Sequence, residues 1–182
     1  MTSTAPLRAD QVLIRPATEA DLPAIVAFEI EIAVVSFAGE AITDPALHQR
    51  RVSGALGKKG EVTLVAAAAA DPAEVLGWAW LSSRTNSLTG AVYGNFRSLA
   101  VADVPGRPLI GELLLAAVLD AADTGGMSQL TGKVHAGNLG MRALYRKFGF
   151  TATHLTMERR RPADPAAGGA AAGGTAAGGA AP

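Results

Sequence analysis

The hydrophobic and polar positions of the chain switch between two periods, one typical of strands and one typical of helices. The short apolar run Val12 to Arg15 leads into Pro16, and Thr18 to Asp21 then offers a capping hydroxyl with an acid three residues later. Apolar residues next recur at helical spacing, at Leu22, Ile25, Val26 and Ala33. We expect a first strand and then a helix whose apolar stripe packs on a sheet.

A loop and a second helix follow. The loop is predicted over Phe37 to Asp44, which contains Gly39. The dipeptide Asp44-Pro45 places a capping residue before a proline in the first turn of a helix. The second helix is therefore expected over Pro45 to Leu56, with Gly57 ending it.

Three extended segments occupy the middle of the chain. Glu61 to Ala69 and Val75 to Ser83 are rich in Val, Leu, Trp and Ala, and Asp71-Pro72 separates them. This pattern predicts a hairpin with a longer turn, so the two strands should be antiparallel neighbours. Val92 to Val101 alternates between two faces, neither of them purely apolar, and is predicted as a further strand.

The last third of the chain predicts two more helices and two more strands. Pro108 opens a broad apolar helical face that stops at Gly125-Gly126. Leu130 to His135 is predicted as a strand, Asn138 to Phe148 as a helix and Phe150 to Met157 as the last strand. Consecutive strands favour antiparallel pairing, and the later strand–helix–strand unit favours a parallel crossover. The fold class expected is α/β, a mixed sheet covered by helices.

Composition narrows the function classes. The 182 residues, 49% of them hydrophobic, suffice for one sizeable core. Basic and acidic residues number 16 each, so no global charge attracts nucleic acid or an anionic membrane. The lack of cysteine excludes disulfides, thiolate metal sites and a cysteine nucleophile, and it suits the cytoplasm, where we expect the protein. No bound metal is expected. No membrane partner is expected either, since no apolar run approaches the ~20 residues of a membrane span.

The two ends of the chain differ from its middle. Residues 1–10 contain one Arg and no apolar core of signal-peptide length, so they are expected to be a disordered lead-in. Residues 162–182 contain only Ala, Gly, Pro, Asp and one Thr, which offer too little side-chain surface to offset the entropy lost on ordering. We predict a disordered tail there and a single domain over residues 11–161.

The order of elements, together with three motifs, resembles the GNAT acyltransferases from roughly Val12 to Arg160. The first two motifs are Asn95-Phe96-Arg97-Ser98-Leu99-Ala100-Val101 and Gly111-Glu112-Leu113-Leu114-Leu115. The third is the most specific: it runs from Asn138 through a helix carrying Leu144-Tyr145 to Gly149-Phe150. The resemblance implies a mixed sheet splayed between its fourth and fifth strands, with about four flanking helices. It also implies an N-acetyltransferase that uses acetyl-coenzyme A and acts on an amine.

The resemblance further implies where the cofactor binds. In GNAT proteins the thioester arm lies in the splay, bonded to backbone groups of the fourth strand, which here are those of Leu99, Ala100 and Val101. The amide of Leu99 or Ala100 is the expected donor to the developing oxyanion. The pyrophosphate is expected at the N-terminus of the following helix, where free N–H groups attract anions. That cradle would comprise Gly106, Arg107, Leu109, Ile110 and Gly111.

This phosphate loop departs from the family pattern. Only the last glycine of the pattern, Gly111, is kept. Pro105 and Pro108 remove two backbone donors, and Glu112 adds a negative charge near the expected phosphate. The Arg107 guanidinium is a compensating donor.

Tyr145 occupies the family position of the general acid, which would protonate the departing thiolate. Packing on the helix face is its alternative role. Asn138 matches the family Asn that bonds the cofactor arm, and it also suits a helix cap. An amine with a pKa near ~10 is only about one part in a thousand neutral at pH 7, so a base is needed. The candidates are Glu40, Asp44, His135, Glu29 and Glu31.

The acceptor side is built in this family by the loop after the first helix and by strands three and four. That implies Phe37, Glu40, Trp80, Asn86, Tyr93 and Asn95. A small-molecule amine is the favoured acceptor. The alternatives are a protein or peptide N-terminus, an acyl group delivered by a carrier protein, and a non-catalytic acyl-coenzyme A-binding module. A carrier protein would dock near Arg142, Arg146 and Lys147, and a homodimer remains open.

Overall fold

A computed structural model describes residues 7–153, 157 and 159. The predicted tail and most of the predicted lead-in lie outside these described residues. The chain divides into two units, Met1–Gly149 and Phe150–Pro182. The described residues of the second unit, 150–153, 157 and 159, form neither helix nor strand. The predicted last strand is therefore not formed at residues 150–153, and residues 154–156 are outside the description.

The first unit is a mixed α/β fold, as the pattern predicted. Strands β1 to β4 pair antiparallel in chain order and β5 joins β4 in parallel. No helix among the described residues is long and apolar enough to cross a membrane. The elements are β1 (Val12–Pro16), α1 (Leu22–Phe37), α2 (Pro45–Ser53), β2 (Glu61–Ala68), β3 (Asp71–Thr85), β4 (Val92–Val101), α3 (Arg107–Thr124), β5 (Leu130–Thr131) and α4 (Leu139–Lys147), with 3₁₀ turns at Ala9–Gln11, Glu19–Asp21 and Ala38–Glu40.

Helices cover both faces of the sheet. Trp78 of β3 packs with Ile25 of α1 and Val52 of α2, and all three are fully buried. On the other face α3 lies so close that a Cβ at Gly77 would stand 2.8 Å from the Leu114 side chain. Each large apolar side chain buried in this way contributes roughly 1.5–3 kcal/mol. The helices on the two faces hold the strands of the sheet in fixed positions. The cleft described in the next subsection is built on these strands.

The β2–β3 hairpin differs from the sequence prediction. Its turn consists of residues 69 and 70 alone, because β3 begins at Asp71 rather than Val75. The Asp71 carboxylate accepts from the Ala73 N–H at 3.1 Å, and Pro72 follows at the start of the strand, where a missing N–H is tolerated. The predicted longer turn is therefore wrong. Helix α2 is also shorter than predicted and ends at Ser53, with Gly54 as its cap.

A β-bulge interrupts β4. Trp80 of β3 pairs with Ser98, whereas the next β3 residue, Leu81, pairs with Phe96. Arg97 is the extra residue, so the simple alternation expected along this strand holds only on either side of it. Directly opposite residues point to the same face. Phe96 therefore lies on the α3 face together with Leu99, while Ser98 lies on the α1–α2 face with Trp80.

Strands β4 and β5 separate after two paired positions. Gly94 pairs with Leu130 and Asn95 with Thr131, and the ladder ends there, so the strand predicted to His135 stops at Thr131. The phenol of Tyr145 lies directly after the last paired position, since a Cβ at Gly132 would stand 2.8 Å from its hydroxyl. The expected splay between the fourth and fifth strands is present.

Candidate active site

A cleft of about 770 Å³ opens where β4 and β5 diverge. Its volume is within the ~300–1,000 Å³ typical of small-molecule sites. The walls are β4, the first turn of α3, the segment after β5, α4 and the second half of α1. Nine residues assigned to the site from sequence line it: Glu31, Leu99, Ala100, Val101, Arg107, Gly111, His135, Asn138 and Tyr145.

The free edge of β4 presents backbone groups to this cleft. The Ala102 N–H donates to Leu76 O of β3 at 2.9 Å. Because N–H groups of successive strand residues point to opposite sides, Ala100 also faces β3, and Leu99 and Val101 face the open edge. Of the two amides considered for the oxyanion, that of Leu99 therefore points into the cleft and that of Ala100 into the sheet.

Tyr145 stands at the point where the strands separate. Its ring centroid is 5.8 Å from that of Phe96, and its side chain is only 9% exposed. Burial raises the pKa of Tyr145 to about 12, because the charged phenolate is poorly solvated there. At neutral pH the phenol is protonated and able to donate. Gly132, against which the hydroxyl lies, escaped the sequence analysis because only the tertiary contact identifies it.

Asn138 and His135 lie on the segment between β5 and α4. The Asn138 side chain caps α4 by accepting from the Met141 N–H at 3.0 Å, so the predicted cap is formed. Nδ1 of His135 accepts from the Gly137 N–H at 3.1 Å. A neutral imidazole whose Nδ1 accepts carries its proton on Nε2, so the ring nitrogen left over is a donor.

The predicted phosphate cradle keeps fewer free amides than the sequence suggested. Gly106 has φ +93°, a conformation that suits glycine, and the helix begins at Arg107. The Arg107 N–H donates to Val104 O at 3.0 Å and the Ile110 N–H to Gly106 O at 3.1 Å. These two amides are therefore already bonded within the protein. The exposed Arg107 guanidinium lies 3.7 Å from the Asp103 carboxylate and borders the cleft.

An ion pair neutralises Glu112. Its carboxylate lies 2.6 Å from Nζ of Lys147, and both residues border the cleft. The negative charge that sequence analysis expected to oppose phosphate is thus compensated by α4. Lys147 and Arg142 belong to the basic surface considered for a carrier protein. Lys147 is held by Glu112, and Arg142 donates to Ala136 O at 2.9 Å.

The acidic candidates for the base lie in different surroundings. Glu29 is 1% exposed, accepts from Trp78 Nε1 at 2.8 Å and is paired with Arg51. It is therefore a structural ion pair away from the cleft. Glu31 lines the cleft. Glu40 and Asp44 are exposed residues away from it, and Asp44 caps α2.

Of the described residues assigned from sequence to the acceptor, none lines this cleft. Asn86 and Tyr93 border a second hollow of about 390 Å³ at the far end of the β3–β4 hairpin. Phe37 is 63% exposed, and Asn95 is half-buried beside Thr131. Trp80 is 5% exposed and donates from Nε1 to Glu61 at 2.7 Å. Trp80 thus packs next to the cleft, beside its β4 partner Ser98, without lining it.

Two residues at the β4 bulge line the cleft but were not assigned to a site by the sequence analysis. Ser98 is 5% exposed, and its hydroxyl has no hydrogen-bond partner in the described part of the chain. The Arg97 guanidinium lies over the Trp80 ring, 5.6 Å from its centroid. Strict alternation would have put these two side chains on opposite faces, so only the bulge brings them together. Within residues 7–153, 157 and 159, no cluster of three or more His, Cys, Asp or Glu is arranged to hold a metal ion.

Comparisons with known proteins agree with this fold. The sequence model of the acetyltransferase (GNAT) domain matches residues 11–151. No curated protein matches the chain. A transcriptional regulator from Bacillus halodurans superposes with a TM-score of 0.68 at 18% identity, covering 82% of this chain and 99% of the other. An aminoglycoside acetyltransferase from a soil metagenome, crystallised with trehalose, gives 0.63 at 18%, covering 84% and 97%. An aminoglycoside 6′-N-acetyltransferase from Acinetobacter baumannii gives 0.63 at 14%, covering 82% and 97%.

Proposed function

The chain belongs to the acetyltransferase (GNAT) domain family, and we propose that it transfers an acetyl group from acetyl-coenzyme A to the primary amine of a small molecule. The observation that carries this proposal is the cleft at the splay, in which the open edge of β4 faces the buried phenol of Tyr145. The two aminoglycoside acetyltransferases of similar fold support a small acceptor. Acetyl-coenzyme A would supply the activated thioester.

The cleft suits an elongated acyl carrier. The amides and carbonyls of Leu99 and Val101 line the open edge of β4, where an extended amide-containing arm finds partners. The pairing of Glu112 with Lys147 removes a net negative charge from the mouth near α3. Of the three basic residues considered for a carrier protein, Lys147 and Arg142 have partners within the chain and only Arg146 is exposed without one among the described residues, so we take free acetyl-coenzyme A as the donor. We assign the Leu99 N–H as the donor to the developing oxyanion.

Tyr145 acts in this proposal as a hydrogen-bond donor to the departing sulfur. Complete proton transfer from a phenol of pKa about 12 to a thiolate of pKa near ~8.5 is uphill by roughly 5 kcal/mol. The phenol therefore stabilises negative charge on sulfur while keeping its own proton for most of the reaction. The sulfur takes its proton from solvent, and the base that accepts the proton of the amine returns one proton to solvent, so the turnover leaves the protein unchanged.

Glu31 is our candidate for the group that receives the proton of the amine. It lines the cleft on the α1 wall, whereas Glu29 is held by Arg51 and Trp78. His135 is less suited, because its accepting Nδ1 leaves a protonated Nε2. In the balanced reaction the N–C bond forms as the C–S bond breaks. The amine loses one proton, and the thiol leaves with one.

The test is isothermal titration of acetyl-coenzyme A into the full chain, followed by a thiol-release screen over small amines. We expect micromolar binding and release that depends on an amine. Tyr145→Phe should keep the binding and lower kcat by about 10²–10³-fold, as the loss of one preorganised hydrogen-bond donor does, whereas the matched Tyr93→Phe variant should not change it. If acetyl-coenzyme A does not bind, its proposed role as the acetyl donor is refuted. If it binds but no amine causes release of the thiol, the protein is a non-catalytic acyl-coenzyme A-binding module.

A further inference from the structure

The hydroxyl of Ser98 is the starting observation. It is buried, borders the cleft and has no hydrogen-bond partner in the described part of the chain. Buried hydroxyl groups are nearly always bonded, because leaving water without a new partner is unfavourable. A ligand group within hydrogen-bond distance of Ser98 would remove this penalty. The position therefore indicates a polar part of a ligand on the α1–α2 side of β4.

The charges around Trp80 point to an anion. Two carboxylates lie in this region, and both have cationic partners: Glu29 pairs with Arg51, and Glu61 lies 3.9 Å from Arg84. Arg97 forms no ion pair with any described residue. Arg97 is therefore the guanidinium of this region that no described carboxylate pairs with directly. It lines the cleft and is adjacent to Ser98 in the chain.

The guanidinium of Arg97 has one aromatic neighbour. Its carbon lies over the Trp80 ring, 5.6 Å from the centroid, and that of Arg51 lies 5.5 Å from the same ring. Burial first, and the positive charge of Arg97 second, lower the pKa of Arg51, which indicates that the two cations act on each other. A guanidinium in a cation–π contact can still donate its N–H groups to a planar anion. A carboxylate could bond the Arg97 edge with one oxygen and Ser98 with the other.

The opposite wall of the cleft complements this arrangement. Glu31 lines it from α1 and makes no ion pair with Arg97, since no described carboxylate lies within 4.0 Å of that guanidinium. A negative group and an uncompensated positive group thus border one cleft. A molecule that carries an ammonium and a carboxylate satisfies both, whereas a polycation would be repelled by Arg97.

We infer that the acceptor is an amine that also carries a carboxylate, as an amino acid does, with the carboxylate held by Arg97 and Ser98. This inference rests on the proposed function, because the amine of the same molecule is the group acetylated. It adds a substrate class and two specificity-determining residues.

The experiment compares matched acceptors in the thiol-release assay with the full chain and acetyl-coenzyme A. Phenylalanine, lysine and glutamate are each paired with their α-carboxamide, which keeps the amine and the size but removes the charge. We expect kcat/KM to favour the carboxylate at least tenfold, as for a hydrogen bond to a charged group. Arg97→Gln should abolish the preference and Arg97→Lys should restore part of it. Ser98→Ala should reduce it. Arg50→Gln removes an exposed arginine of α2 that does not line the cleft, and this matched control should keep the preference.

A binding measurement separates this inference from the proposed function. N-acetylphenylalanine and its amide are titrated into the full chain and into the Arg97→Gln variant. Arg97-dependent binding of the acid supports the carboxylate site even if no acetyl transfer is found, and equal binding of acid and amide overturns it. Transfer to amines with no carboxylate preference would overturn the inference and leave the acetyltransferase standing. If O-phosphoethanolamine is a better acceptor than every amino acid tested, the anion bound by Arg97 is a phosphate, and the inference of a carboxylate is overturned.

Discussion

We expect the phenol of Tyr145 to keep its proton up to a pH of about 12 in the folded protein. The side chain is 9% exposed, and desolvation of the phenolate is the cause of the shift from the ordinary value of 10.0. Two pKa units correspond to about 2.7 kcal/mol. The folded pKa is higher than the unfolded one, so this contribution to stability is complete below pH 10 and is lost as the pH rises through 12.

The sequence makes the assay simple. The chain contains two tyrosines, Tyr93 and Tyr145, so Tyr93→Phe leaves a single phenol. Its ultraviolet absorbance reports phenolate formation directly, and near-ultraviolet circular dichroism of the same samples reports whether the fold persists. We expect no phenolate near pH 10, and its appearance either with a midpoint near 12 or together with unfolding. The reciprocal Tyr145→Phe variant should lose the alkaline fall in stability between pH 10 and 12.

A phenolate that forms near pH 10 while the circular dichroism is still native would refute the reasoning. It would mean that water reaches the hydroxyl beside Gly132, and that the cleft does not shield its donor. The proposed role of Tyr145 as a donor that remains protonated would then lose its physical basis. Unchanged kcat in Tyr145→Phe would contradict the role independently.

Three further predictions concern stability, cofactor affinity and geometry. Hydrogen bonds from Arg15 lower the pKa of Asp21 to about 2 from 3.8. About 2–3 kcal/mol of folding stability that is present above pH 4 should therefore be lost as the pH falls through 2. The Asp21→Asn variant should lack this loss in acid denaturation. Lys147→Gln leaves Glu112 unpaired and should weaken acetyl-coenzyme A binding by roughly two- to fivefold in titration calorimetry. Gly132→Ala should displace the Tyr145 hydroxyl and lower kcat about ten- to a hundredfold.

Each of these predictions has a matched control. Asp10, in an exposed pair with Arg8, is the comparison for Asp21, since its substitution should leave acid stability almost unchanged. Adding Glu112→Gln to Lys147→Gln should restore affinity, and a double variant no tighter than the single one would contradict the charge argument. Gly39→Ala, with nothing within 4 Å of the added Cβ, controls for Gly132. Equal activity of the two alanine variants would show that Tyr145 has room to move.

Local patterns predicted most of the elements. The apolar spacing after Pro108 predicted α3 to within a residue at each end, and the Asn138 cap predicted the start of α4. The splay between strands four and five was expected from the family resemblance and is present. These features depend on short-range periodicity, capping and motif spacing, which a sequence displays directly.

The remaining features depend on contacts between distant residues. Glu29 was a candidate for the base, but it is buried in an ion pair because Arg51 and Trp78, far along the chain, provide its partners. The partner of Glu112 is Lys147 on another helix. No period or motif carries such pairings. The residues expected to bind the acceptor do not line the cleft, which lies beside Arg97 rather than at the hairpin end.

The bulge at Arg97 also affects how β4 is aligned with other sequences. Odd-numbered positions after it, such as Leu99, face α3, whereas before it the even-numbered Phe96 does. The two halves of the strand are therefore out of phase by one residue. An alignment scored on alternation needs a one-residue gap at position 97, because a strand without this residue would alternate regularly with Phe96 still opposite Leu81 and Ser98 still opposite Trp80. The inserted residue thus adds the Arg97 side chain to the cleft without moving its neighbours to other faces of the sheet.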